Sequence, residues 1–242
     1  MNDNTKDTKA KQRRSATMEE PRKTYLPGMS HDWLLPLYDP LQKLLGFESI
    51  HRQLVDQADI RPKHRVIEIG CGTGNLSILI KRLHPQAEVV GLDPDPKALA
   101  RAQRKTEREV LSMQLDRGFA EELPYPDASF DRVLSALMFH HLGPEEKERT
   151  LDEARRVLKP GGSLHLLDFG GEQVRSDGFL TRLHHRSESL RDNFGDRIPT
   201  LMREAGFADP TEVAHRVTIA GRLTYYRASV PREGSDARHL AT

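Results

Sequence analysis

Val66-Ile67-Glu68-Ile69-Gly70-Cys71-Gly72-Thr73-Gly74-Asn75 decides how the rest of this chain is read. Four mostly apolar residues run into glycines at 70, 72 and 74. Leu76, Leu79, Ile80 and Leu83 then recur at spacings of three and four, the period of a helix face. The pattern predicts a strand, a tight glycine turn and a helix. Such a turn lets a ligand approach the backbone, because no Cβ stands in the way. The amides that open the helix then face that ligand.

The spacing Gly70-x-Gly72-x-Gly74 departs from the dinucleotide fingerprint Gly-x-Gly-x-x-Gly, whose third glycine would fall on Asn75. Glu68 lies inside the strand, two residues before the first glycine. A carboxylate there is costly unless it meets a donor or a cation. It would repel a pyrophosphate but not a ligand carrying an ammonium group. The alternative is a buried Glu that only holds the loop amides. A second largely apolar run, residues 87–92, ends at Asp93, 23 residues after Gly70. In doubly wound folds an acid near that offset takes ribose hydroxyls. Asp93 also suits a helix N-cap, since Pro94, Asp95 and Pro96 follow it, and the two roles can coexist.

These residues resemble the cofactor motif of the class I S-adenosylmethionine-dependent methyltransferases, of the type 11 group. Four further segments match that family in the right order. Asp93 matches its ribose acid, and Gly118-Phe119-Ala120-Glu121-Glu122-Leu123-Pro124-Tyr125 its adenine loop. Phe130-Asp131-Arg132-Val133 is similar to the start of its fourth strand. Arg155-Arg156-Val157-Leu158-Lys159-Pro160-Gly161-Gly162 is similar to the turn before its fifth. The resemblance covers residues 60–170 and implies S-adenosylmethionine as cofactor, with S-adenosylhomocysteine as product. It assigns Glu68, Gly70, Cys71, Gly72 and Gly74 to the methionine part. Asp93 and Pro94 go to the ribose, Ala120 and Glu121 to the adenine, and Leu137 to the cleft wall.

The chain has 242 residues, enough for one sizeable core. Its net charge is +1, which gives no general attraction to nucleic acid. Cys71 is the single cysteine, so no internal disulfide forms and a reducing, cytoplasmic setting is expected. No apolar run approaches the roughly 18 residues of a membrane span. Residues 1–23 are polar and charged and read as a disordered tail; the basic cluster Lys9, Lys11, Arg13 and Arg14 is either solvated or a nucleic-acid contact. Residues 24–230 read as one methyltransferase domain, and residues 231–242 as a frayed end.

Within that domain, residues 24–58 form an N-terminal segment crowded with Tyr25, His31, Trp33 and Tyr38. It reads either as a lid over an acceptor pocket or as a flap covering the core. Residues 41–58 look helical in two pieces around Gly46. Tyr38-Asp39, Leu44-Leu45 and His51-Arg52 loosely resemble the opening segment of the ubiquinone and menaquinone C-methyltransferases; Gln42 departs from the Asn expected there. Residues 60–170 alternate strand and helix, which predicts a parallel sheet with helices on both faces. Strands are expected at 110–115, 130–135 and 163–167, with a turn at 159–162. In residues 171–230, helices are expected at 177–190 and 198–205 and strands at 212–217 and 223–230. The resemblance makes this an α/β, doubly wound, mostly parallel seven-stranded sheet, a Rossmann-like methyltransferase fold closed by an antiparallel C-terminal hairpin.

A methyl on a sulfonium is already activated, so the protein must hold a nucleophile in line and strip it of water. A neutral phenol, thiol or ring carbon also needs a base. His140 and His141 follow the fourth strand, at the end where open α/β sheets bind ligands. One of them is a candidate base; the other reading is a pair that packs the next loop. His31 is a second candidate. No metal is expected, because the pair lacks a placed third ligand. Nucleic-acid amino-methyltransferases carry a polar-Pro-Pro-aromatic motif where this chain has residues 135–138, so nucleic acid is not expected as substrate. Asp168 and Gly170 stand where the quinone methyltransferases prefer Glu and Ser. The reading is methyl transfer to a small, partly apolar acceptor such as a quinol, phenol or thiol. The rivals are an NAD(P)-binding oxidoreductase and a non-catalytic regulator that binds S-adenosylmethionine. The sequence leaves the oligomeric state open.

Overall fold

The structure, a computed structural model, describes residues 46–171, 193–218 and 221–232. Tyr25, His31, Trp33 and Tyr38, the expected helix at 177–190 and both terminal tails up to 45 and from 233 lie outside them.

Chain order is α1 (Phe47–Gln57), β1 (Arg65–Ile69), α2 (Asn75–Leu83), β2 (Glu88–Asp93), α3 (Pro96–Arg108), β3 (Gln114–Arg117), β4 (Phe130–Ala136), α4 (Pro144–Val157), β5 (Leu158–Phe169), α5 (Arg197–Glu204), β6 (Ala208–Thr218) and β7 (Gly221–Ser229). A single 3-10 turn, Phe139–His141, lies between β4 and α4. The seven strands form one sheet in the order β3-β2-β1-β4-β5-β7-β6. Strands β1 to β5 are parallel, and β7 runs antiparallel to both β5 and β6. The closing antiparallel hairpin is therefore present, with its second strand inserted inside its first.

Both faces of the sheet are covered, as period-two alternation in the strands requires. Val66 packs with Leu76, Leu79 and Ile80 of α2 and with Leu54 and Val55 of α1. Ile67 and Ile69 turn the other way, toward Leu151 and Ala154 of α4 and Leu201 and Met202 of α5. Ile67 is wholly buried. Truncating it to Ala would cost about 2–5 kcal/mol. Helix α1 is pinned to the sheet by polar contacts as well. The Tyr225 hydroxyl donates to the Ile50 carbonyl at 3.0 Å, and the Gln57 amide donates to the Tyr226 carbonyl at 3.0 Å.

Two local expectations are corrected. Residues 110–113 are not strand, and β3 starts at Gln114. Val110 instead takes φ +54 and is 90% exposed. Its amide donates to Glu107 O and that of Leu111 to Thr106 O, which closes the end of α3. The last helical carbonyls need donors, and here a β-branched residue fills the left-handed position usually given to Gly. The turn at 159–162 lies inside a strand rather than before it. Phe130 pairs with Leu158 and Arg132 with Ser163, so four residues bulge out of β5. Gly161 takes φ +78 in that bulge. The bulge backbone stays satisfied, because Gly161 N–H donates to Val230 O and Val230 N–H donates to Gly162 O.

Candidate active site

The strand order reverses between β1 and β4. The loop after β1 leads to α2 on one face, and the loop after β4 leads to α4 on the other. Their divergence opens a crevice at the carboxyl ends of the strands, where doubly wound sheets bind ligands.

The three glycines of the first loop do three different things. All take left-handed φ values, +75 at Gly70, +52 at Gly72 and +78 at Gly74. A Cβ on Gly70 would collide with Met138 Cγ and stand 2.7 Å from Met138 Cβ. A Cβ on Gly74 would stand 2.9 Å from Ala102 Cβ, so this glycine lets α3 close on the start of α2. Only at Gly72 would a Cβ meet nothing within 4 Å. Close approach of a ligand to bare backbone is thus available at Gly72; a neighbouring side chain of the protein uses the gap at the other two.

Asp93 holds this loop. Its Oδ2 accepts from Gly72 N–H at 2.7 Å and its Oδ1 from Asp95 N–H at 2.9 Å. The helix cap is a different residue: Asp95 Oδ1 accepts from Lys97 N–H at 2.8 Å, and Pro96 fills the first helical position. Burial lifts the Asp93 carboxyl above its ordinary pKa, and the amides of Asp95 and Gly72 pull it back. A carboxylate has about four lone-pair sites. Two are taken, which leaves acceptors for a diol beside the open face of Gly72. The residues therefore fit a ribose-bearing cofactor.

Glu68 sits beneath the loop and is 3% exposed. Ser77 Oγ donates to its Oε2. Burial pushes its pKa up to about 8, against the Ser77 hydrogen bonds, which lower it. Gly74 has no side chain with which to cap α2, and Glu68 reaches Ser77 in the first turn of that helix. The Cys71 side chain is buried, and burial, with Glu68 and Asp93 nearby, raises its thiol pKa well above normal. Its backbone N–H donates to Leu92 O. On the far side, Gly118 N–H donates to Asp93 O at 3.3 Å, tying the 118–125 loop to the end of β2. Ala120 is buried in that loop and Glu121 is partly exposed. Pro94 O accepts from Arg117 Nε.

The second wall comes from β4 and β5. Leu137 takes φ +57, and its N–H donates to Leu167 O at 2.8 Å. The 3-10 turn follows, anchored by buried Phe139. His140 Nδ1 lies 2.7 Å from Asp168 Oδ1, and its backbone N–H donates to Asp168 Oδ2 at 3.2 Å. Asp168 is fully buried, while the His140 side chain is 12% exposed. The Phe169 ring meets His140 edge-on at 5.1 Å. The His141 ring lies tilted against that of His140, with 4.0 Å between centroids, and burial together with His140 lowers its pKa to about 4. Of the two histidines, only His140 has an acidic partner fixing its ring. Asp168, Ser77 and Met138 were not singled out as site residues from the sequence; Asp168 stood out there only as a departure from a family preference.

Residues 66–162 match the model of a methyltransferase domain family. A demethylmenaquinone methyltransferase from Deinococcus radiodurans is 32% identical over 204 residues, spanning 81% of this chain and 84% of the relative. The chain belongs to the class I S-adenosylmethionine-dependent methyltransferases. A demethylmenaquinone methyltransferase from Thermus thermophilus is 37% identical over 154 residues, covering 62% of this chain and 69% of its own. The YcgJ protein from Bacillus subtilis shares the fold, with a TM-score of 0.62 at 19% identity, covering 76% of this chain and 98% of that one. As a class I methyltransferase this protein is an enzyme whose cofactor is S-adenosylmethionine. Neither rival reading is supported by these relatives. Among the described residues, no helix is long and apolar enough to cross a membrane.

Proposed function

We propose that this methyltransferase methylates a ring carbon of a small aromatic diol of the reduced-quinone class, with His140 as the base. The observation that carries this reading is the His140–Asp168 pair at the carboxyl ends of β4 and β5, next to the crevice. Phe169 and Leu137, both partly buried against the core, give the same wall an apolar surface suited to a ring. The relatives named for demethylmenaquinone support the choice of acceptor.

In this proposal Asp93 takes the ribose hydroxyls, with Pro94 beside it, and the backbone of Gly70, Cys71, Gly72 and Gly74 floors the methionine part. Ala120 and Glu121 flank the adenine. Glu68, beneath that floor, ionises when an ammonium comes near it. S-adenosylmethionine supplies an activated methyl group. His140 Nδ1–H donates to Asp168, which leaves Nε2 unprotonated as the acceptor. These residues would hold the ring carbon in line with that methyl group, so that the carbon–carbon bond would form as the carbon–sulfur bond breaks. The proton on the methylated carbon then passes to His140 Nε2, and the diol is restored. A diol ring is electron-rich and attacks the methyl group, whereas the oxidised quinone is not a nucleophile.

The test is methyl transfer from isotopically labelled S-adenosylmethionine to demethylmenaquinone, offered reduced and oxidised. The expected result is a carbon-methylated product from the reduced form only. Transfer to a thiol control but not to the reduced quinone would sink the acceptor assignment.

A further inference from the structure

The 3-10 turn that carries His140 is held at two ends. One end is Asp168, on β5. The other is Met138, which opens the turn: its carbonyl accepts from His141 N–H at 2.9 Å. The Met138 side chain occupies the space a Cβ on Gly70 would need: such a Cβ would collide with Met138 Cγ and stand 2.7 Å from Met138 Cβ. Gly70 is itself fixed, since its N–H donates to Leu92 O at 2.8 Å. The neighbouring carbonyl, Ile69 O, accepts from buried Ser135 Oγ of β4 at 2.9 Å. The chain reaches Met138 through Leu137, whose φ of +57 is a costly conformation for a leucine. That strain turns the chain at the step where it passes from the sheet to the turn.

We propose that Met138 is a positioning residue: it is the spacer through which the glycine loop that binds the cofactor sets the place of His140. Gly70 is glycine for its left-handed φ and because Met138 uses the space a Cβ would fill, not because a ligand does. Movement of the loop as it closes on a ligand at Gly72 is passed through Gly70 and Met138 to the turn. The inference rests on His140 as the base for its catalytic meaning, but the contact itself does not.

The experiment follows the His140 ring resonances by NMR as S-adenosylhomocysteine is added, in the wild type, Met138→Ala and Met138→Leu. His140→Asn assigns the signals. Wild type is expected to shift on binding. Met138→Ala should lose that shift while its affinity for S-adenosylhomocysteine stays within about 3-fold, since Asp93 and Gly72, the groups assigned to the ligand, are untouched. Met138→Leu should restore the shift, because volume is nearly conserved. Turnover gives a second readout: a misplacement near 1 Å costs about 100-fold in kcat, with KM for the cofactor little changed. A ligand-induced shift that survives in Met138→Ala overturns the proposal, as does a loss of affinity that matches the loss of kcat. If His140→Ala turns over normally while the NMR coupling is present, the base assignment fails and the coupling stands.

Discussion

His140 Nδ1 and Asp168 Oδ1 lie 2.7 Å apart, although 28 residues separate them in the chain. The buried carboxylate also accepts the backbone N–H groups of His140 and Phe169. It therefore fixes the ring, the turn and the end of β5 together. His140→Ala is expected to lower kcat by about 10²–10⁴-fold, the usual share of a general base. Asp168→Asn should lower it in the same direction, because an amide can present its NH₂ and reverse the ring tautomer. Steady-state rates at saturating cofactor check both, with S-adenosylhomocysteine affinity as the control.

His141 behaves differently. Burial first, and His140 second, hold its pKa down at about 4, so it is neutral throughout the neutral range. His141→Phe keeps an aromatic ring against His140 and should leave the shape of the rate–pH profile at neutral pH unchanged. A pH series of kcat on this variant checks it.

Glu68 gives a stability prediction with a definite sign. Burial raises its folded-state pKa from 4.5 to about 8. Between those values the unfolded chain gives up the proton while the folded chain keeps it. The contribution of Glu68 to stability is therefore full below pH 4.5 and is lost as pH rises to about 8. Glu68→Gln removes this loss, which urea melts over that pH range will show. An ammonium placed near Glu68 lowers its pKa again, so S-adenosylmethionine binding at neutral pH should release protons. Calorimetry in buffers of different ionisation enthalpy measures that release.

The glycine loop separates stability from binding. Alanine at Gly70 or Gly72 pays the same left-handed strain, about 1–2 kcal/mol. Gly70→Ala also collides with Met138, so it should melt lower than Gly72→Ala. Gly72→Ala fills the open face and should weaken S-adenosylhomocysteine binding more. Scanning calorimetry and titration calorimetry on the two variants give the comparison.

Asp93→Ala removes a carboxylate that holds Gly72 and faces the open side of the loop. Hydrogen bonds to a charged group are worth about 1.5–3 kcal/mol, so affinity for S-adenosylhomocysteine should fall by roughly 10–150-fold. Titration calorimetry reads this directly.

Local physics made much of this protein legible in its sequence. The period-three and period-four apolar positions after Gly74 and the apolar runs into Gly70 and Asp93 are short-range patterns, and α2, β1 and β2 appeared where they predict. Strand–helix alternation was enough to expect a parallel sheet covered on both faces; the seven strands and the C-terminal hairpin were expected from the family resemblance that the motifs carry. The tertiary structure decided what depends on contacts between distant residues. Which glycine faces open space follows from where Met138 and Ala102 pack, and no spacing near residue 70 encodes that. Asp95 rather than Asp93 caps α3, because the helix opens at Pro96 and the Asp93 carboxyl is held by the amides of Gly72 and Asp95. Val110 left the strand, since closing α3 outweighed its β preference. The carboxylate that holds the His140 ring lies on the neighbouring strand, brought within hydrogen-bonding distance only by the parallel register of β4 and β5. Short-range stereochemistry writes elements into a sequence; the chemistry of a site arises where the sheet sets separate segments side by side.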